Sequence, residues 1–346
     1  MRFGKTIAAF AGGLLLLSGC SAPGSSGDAA DGAPQAITVA SWGGKYAEAM
    51  RAAFFDPFTE ETGIAVADAD TGIAALQTQV DTGNVQWDAV TVSTTDLGLG
   101  TGKGLFEDIS GVVDPDDFIE GAVTDYAVGL DFSSNVMAWH TGAFGEGDSA
   151  PQSWEDFWDL EKFPGKRAVP SWGPDAQLFE FALIADGVDK DELYPLDVDR
   201  ALDKLAEIRD SFIVYDSNAQ GLQLVSSGQA TLGVLPSGGA YAGRSFTFNE
   251  AALATDWIAI PKGAPNLEQA KELIRFATQV RQQQAFVEEI NYAGTNKGAL
   301  EGLDPAVVET LPTSEQAMSV QFRPDAKFYA ENATSMMEAW QSFLYG

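Results

Sequence analysis

From Ala36 onward, short β-branched and apolar runs alternate with stretches whose apolar positions recur every three or four residues, the pattern of an α/β protein with open sheets. ITVASW (37–42) predicts a strand ending at Gly43-Gly44. Residues 47–63 predict a helix, because Met50, Phe54 and Phe58 fall at i, i+4 and i+8 and Gly63 can stop it in a left-handed cap. Ile64 to Ala67 begins the next strand, and WDAVTVS (87–93) predicts another with a polar tip at Ser93-Thr94-Thr95. Further on, SSNVMAWHT (133–141) reads as a strand, while 143–154 and FPGKRAVPSWGPD (163–175) are turn-rich. Phe179 to Ala185 and Asp197 to Arg209 predict helices, the second with Val198, Leu202, Leu205 and Ile208 on one face. QATLGVLPSGG (229–239) predicts a strand entering a glycine-rich turn. TDWIAIPKGAPN (255–266) predicts a strand followed by a helix that Pro265-Asn266 opens. There is no internal repeat.

The first residues change the picture. Arg2 and Lys5 precede an apolar run from Ile7 to Leu17 and then Leu17-Ser18-Gly19-Cys20, the layout of a bacterial lipoprotein signal whose apolar core is too short to be a stable membrane span. Residues 1–19 are expected to be removed. Cys20, the single cysteine, is expected to be acylated, and a diacylated cysteine supplies the two chains that stable anchoring needs. Residues 20–36 are small, polar and proline-bearing and read as a flexible tether. Removal of 1–19 leaves 18 basic residues against 50 acidic, a net charge of −32. Nucleic acid and anionic lipid both need a basic footprint and are excluded as partners on that ground.

Several chemistries lack their residues. His140 is the single histidine, so a hydrolytic triad has one candidate base, and no histidine cluster or cysteine pair exists to hold zinc or copper. GLGTGKG (98–104) lacks the serine or threonine that follows a phosphate-loop lysine and reads as a surface turn. With 50 acidic residues, carboxylate pairs arise anywhere, which leaves a secreted carboxylate-based hydrolase as an alternative without a motif. No cofactor is implied. Ligands of open α/β sheets bind outside the carboxyl ends of strands, and that rule puts Trp42 and Ser93 on a common crevice.

Taken together, ITVASWGGKY, PFTEETGI, WDAVTVS, SWEDFWD, FPGKRAV, ALIADGV, LYPLDVDRALDKLAEIRD, DWIAIPKGAPN and INYAGTNKGA resemble, in order from about 37 to 300, the spermidine/putrescine-type solute-binding proteins of ABC importers. The resemblance implies a type II periplasmic-binding-protein fold in which two α/β lobes close over an interlobe cleft about a hinge. Lobe one would comprise 37–139 and 257–301, lobe two 140–256 and 302–346, with chain crossings near Trp139 and Asp256. It also implies a small amine ligand, a permease and its ATPase as partners, a monomer, and a place on the outer face of the cell membrane or in the periplasm.

Carried over by position, Trp42 matches an aromatic that covers the ligand's methylenes, Ser93 a polar strand tip, Asp256 a carboxylate for an ammonium group and Tyr292 a second ring. The chain departs from the family at Thr95, Pro236 and Ala254, where aromatics are expected, and at Gln177, where a glutamate is expected and Asp175 stands nearby. Fewer rings and one fewer carboxylate suit a zwitterionic amino acid as well as a polyamine. Trp172 can restore a ring, and Arg244 can meet a ligand carboxylate. A sensor or adhesin built on the same body remains a further alternative.

Overall fold

The expected alternation of strand and helix is realised around two long antiparallel strands. The structure is a computed structural model describing residues 36–144, 149–241 and 245–346. Its strands are β1 (Ala36–Ser41), β2 (Ala65–Asp70), β3 (Ala89–Val92), β4 (Ala127–Trp139), β5 (Arg167–Pro170), β6 (Phe212–Tyr215), β7 (Leu232–Pro236), β8 (Phe246–Ala259) and β9 (Ala293–Gly294). They hydrogen-bond in the order β2-β1-β3-β8-β4-β7-β5-β6, with β9 also on β4. β1 pairs in parallel with β2 and β3, and β5 pairs in parallel with β6 and β7. Between these two parallel ends lie β4 and β8, antiparallel to each other.

Each end has its own packed interior. Around β1 to β3, Val39, Phe54, Phe58, Leu273 and Phe286 fill one face, and Val90, Leu97, Phe106 and Trp257 the other. Around β5 to β7, Trp154, Phe181, Leu205, Val234 and Trp340 fill one face, and Val136, Tyr215, Val225 and Leu235 the other. β4 and β8 pass from one interior to the other: Leu130 packs with the first half and Met137 with the second, Trp257 with the first and Ala252 with the second.

Three elements differ from the sequence pattern for identifiable reasons. The helix expected over 47–63 runs from Gly44 to Thr62, but Arg51–Phe55 forms a π-helical turn that helps place Phe54 and Phe55 both indoors. The turn-rich segment 163–175 contains the buried strand β5. Arg167, fully buried, donates to the carbonyls of Phe157, Phe163 and Gly165, which satisfies a loop that would otherwise bury unpaired oxygens. GLGTGKG is not a surface turn; its glycines lie on the Thr94–Gly102 helix and the residues just after it. Packing overrides their weak helix propensity: a Cβ on Gly100 would stand 2.3 Å from the Phe106 ring, and one on Gly98 3.0 Å from Ala330 Cβ.

Candidate functional site

Between the two halves lies a cavity of about 1290 Å³, above the roughly 300–1,000 Å³ usual for small-molecule sites. Trp42, Ser93, Trp172, Asp175, Gln177, Asp256 and Tyr292 all line it. So do Thr95, Pro236 and Ala254, the small residues standing where the resemblance leads one to expect rings. Arg244 and Cys20, like the segment 1–19 and the tether up to residue 35, fall outside the described residues.

Trp42 leaves the end of β1 just before Gly43 and Gly44, both at positive φ, which turn the chain into the next helix. Its indole Nε1 donates to Asp256 Oδ1 at 2.8 Å, across a sequence separation of 214 residues. Asp256 faces Asp131 directly in the β4–β8 register. Burial pushes the Asp256 carboxyl up to about 6, against the pull of hydrogen bonds from Trp42 and Asp131 and with added repulsion from Asp175. Asp131, fully buried, accepts from Tyr46 Oη at 2.9 Å; burial first, and then the neighbouring Asp256 charge, raise its pKa well above the carboxylate range.

Tyr292 follows Asn291, which caps the Val280–Ile290 helix in the left-handed conformation at φ 58°. Its ring needs the space that Gly238 leaves, since a Cβ there would come within 2.5 Å of it. Gly238 lies in a short helix, Ser237–Tyr241, where the sequence pattern predicts a turn.

Just past the end of β3, whose Val92 pairs with Trp257, Ser93 caps the Thr94–Gly102 helix by accepting from Asp96 N, and its hydroxyl donates to Asp175 Oδ1 at 3.3 Å. Asp175 belongs to the 3-10 turn Gly173–Ala176 of the second half, so this bond ties the halves together across the cavity. Burial raises Asp175 above its ordinary pKa, and burial with the Asp175 charge pushes Asp96 up to about 7. Gln177, at φ 58°, accepts from Asn135 Nδ2 at 2.7 Å and donates to the Asp175 carbonyl at 2.8 Å. It holds the Asp175 turn in place. Trp172, half-buried, meets Tyr215 edge-on with ring centroids 5.3 Å apart.

Among the lining or supporting residues that escape the sequence reading are Tyr46, Asp96, Asp131 and Arg323. Arg323 precedes the Ala326–Tyr345 helix, lines the cavity and lies 5.6 Å from the Phe132 ring. The other lysine or arginine lining the cavity among the described residues, Lys103, already donates to Gln77 Oε1 at 2.8 Å. Asp131 carried a signal: it is the one charged residue in the apolar and small-polar run AVGLDFSSNVMAW. Arg323 carried none.

Two packed halves joined by crossing strands around a largely apolar cleft with several carboxylates in its wall define a solute-binding protein of the periplasmic-binding-protein fold. The chain belongs to the bacterial extracellular solute-binding protein family, whose profile matches residues 53–315, and serves as the substrate-binding component of an ABC transporter for a small solute. A γ-aminobutyric acid-binding protein of Pseudomonas aeruginosa is 30% identical over 330 residues, covering 91% of this chain and 92% of its own. The structure of the Atu4243–GABA receptor is 32% identical with a TM-score of 0.80, covering 90% of this chain and 98% of that one. MotA of Agrobacterium tumefaciens B6 in complex with glucopine is 28% identical with a TM-score of 0.84, covering 90% and 100%. The polyamine branch named in the sequence resemblance is narrower than what these likenesses carry.

Proposed function

We propose that the cleft captures a small solute bearing an ammonium and a carboxylate group, of the γ-amino-acid class, and hands it to a membrane permease. The observation that carries this reading is the pairing of an indole-tethered carboxylate, Asp256, with a guanidinium, Arg323, in one cavity. The ammonium rests against Asp256 under the Trp42 and Tyr292 rings, where charge-assisted hydrogen bonding and cation–π attraction act together in a partly dry site. The carboxylate turns toward Arg323. The cavity is far larger than a four-carbon amino acid, so sugar conjugates of amino acids belong in the test panel.

Calorimetry with γ-aminobutyric acid, glucopine, putrescine and spermidine tests this reading. The amino acid is expected to bind, and Arg323→Ala to weaken it roughly 10-fold, the modest figure fitting an exposed arginine, while any diamine affinity stays unchanged. Equal loss for both ligand types, or no loss for either, would remove Arg323 from the site. A second reading, a polyamine ligand, is favoured by Asp96 and Asp175: they add a second acidic pair to the cavity that a dication would suit better than a zwitterion. Tight binding of putrescine alone would decide for it.

In this reading the body consists of lobe one (37–139 and 257–301) and lobe two (140–256 and 302–346), a division supported by the separate interiors of the two halves except at the end of β4, where Val136 to Ala138 pack with the second. Closure on ligand creates the surface that the permease reads. Cys20 carries the lipid anchor, with 20–36 as the tether. Cys20→Ala is expected to release the protein from membranes into the soluble fraction, read by fractionation and by loss of labelled fatty acid.

A further inference from the structure

We propose that Asp131 works as an un-ionised carboxylic acid, a hydrogen-bond donor that keeps Asp256 charged and aimed at the ligand's ammonium group. It is a positioning residue, acting through Asp256, and the inference rests on the amine site proposed above. Asp131 is fully buried and lies directly opposite Asp256 on the adjacent strand. One of its oxygens, Oδ2, accepts from Tyr46 Oη at 2.9 Å. The other, Oδ1, is buried without a donor, although Asp256 is the residue paired directly across from it on β8. Two carboxylates so placed cannot both be ionised, and one proton between them resolves the repulsion and the orphaned oxygen together.

The surroundings decide which carboxyl keeps the proton. Asp256 lines the cavity and receives the Trp42 indole N–H as well, so two donors converge on it. Asp131 stands behind it, with a single donor, Tyr46, from the Gly44–Met50 helix. The other titratable groups facing the pair are Asp175 from the second half and Tyr292 from the segment before β9. Among the described residues no basic side chain contributes to either carboxyl, so nothing offsets a second negative charge. The ligand's own ammonium is the counter-charge the site lacks. The acid in the second row makes it possible to bury one carboxylate at the cleft wall without an arginine that would compete with that ammonium.

A pH dependence follows, with a definite sign. Asp256 is ionised above about pH 6, so affinity for a cationic amine is full above that value and falls about 10-fold per pH unit below it. Removing the Asp131 donor raises the Asp256 midpoint, which shifts the loss toward neutral pH.

The test is calorimetry with γ-aminobutyric acid across pH for the wild type, Asp131→Asn and Asp131→Ala, with the carboxylic-acid C=O stretch in the infrared as a readout that needs no ligand. Asn is an uncharged donor of the same shape, so Asp131→Asn is expected to bind within about 3-fold of wild type at neutral pH and to lose a protonated-carboxyl band. Asp131→Ala is expected to bind about 10-fold more weakly at neutral pH and to recover at higher pH. A merely structural role would weaken the Ala variant equally at every pH, and an ionised Asp131 would make the Asn variant as defective as one at Asp256; either result overturns the proposal. If Asp131→Asn removes an infrared band but the wild type binds no amine, the amine site itself has failed and the role of Asp131 in ligand binding falls with it. If Asp131→Asn removes no band while the wild type binds, only Asp131's role is lost.

Discussion

Asp256→Asn is expected to cost a cationic amine roughly 3 kcal/mol of binding, about 100-fold, the loss typical when one partner of a desolvated, hydrogen-bonded charge pair is removed. The substitution keeps the shape of the side chain and an oxygen for the Trp42 indole N–H, so the lost quantity is charge. Stability should move the other way or not at all. The Asp256 carboxyl titrates near 6 in the folded chain against an ordinary 3.8, which means that the fold disfavours its ionised form. That penalty is absent below the lower value and fully present above the higher one, so at neutral pH the ligand-free protein tolerates a carboxylate that only the ligand satisfies. Differential scanning calorimetry on ligand-free protein is therefore expected to give Asp256→Asn a Tm equal to or above that of wild type, while titration calorimetry reports the lost affinity. A variant that binds amines as wild type does would mean that the ammonium rests elsewhere. Once the Asp256 charge is gone, nothing beside Asp131 repels its ionisation, so the single variant keeps some attraction and the double variant Asp131→Asn, Asp256→Asn should bind more weakly still.

How far the site could be read from the sequence depended on what local rules can see. Trp42 and Ser93 were legible because a strand that ends in a tight turn or a polar tip puts its last residues at the crevice of an open sheet. Asp256 and Tyr292 came through resemblance, each from a short segment that keeps its order in the chain. Asp131 was missed because the strand was started at Ser133; β4 in fact begins at Ala127, where the apolar residues on both faces give no alternation to count. Arg323 lies beyond the last resembling segment. It reaches the cavity because Phe322 exchanges backbone hydrogen bonds with Ala251 and Leu253 of β8, a pairing across about seventy residues that no local period announces. β5 and β6 hid for a different reason. Each is four residues long, and Pro164-Gly165 and Pro170 around the first look like loop until the buried Arg167 is seen to satisfy the carbonyls beside it.

The glycine-rich Thr94–Gly102 helix was the largest misreading, and its correction leads to the second strong expectation: Gly98→Leu should weaken ligand binding roughly 10- to 100-fold, although Gly98 does not line the cavity. Leu97 and a hydrogen bond from Trp257 Nε1 to Thr94 Oγ1 at 3.0 Å fix this helix to the first half. The Ala326–Tyr345 helix is fixed to the second by Tyr329, Met336 and Trp340. The two meet at Gly98, where a Cβ would lie 3.0 Å from Ala330 Cβ and 3.4 Å from its Cα. Because the neighbour is a backbone-bound methyl and not the end of a flexible chain, a leucine cannot be absorbed by a rotamer change. The halves must part, which also stretches the Ser93–Asp175 bond beside them. The overpacking cost, about 1–3 kcal/mol, then falls on the closed state alone. Ligand-free Tm should barely move, and small-angle scattering should show less compaction on adding γ-aminobutyric acid than the wild type shows. Gly102, on the same helix with nothing within 4 Å of an added Cβ, is the control: Gly102→Ala should bind as wild type does. If Gly98→Leu closes and binds normally, the halves do not come together through this contact, and the tie between Ser93 and Asp175 must be what holds them.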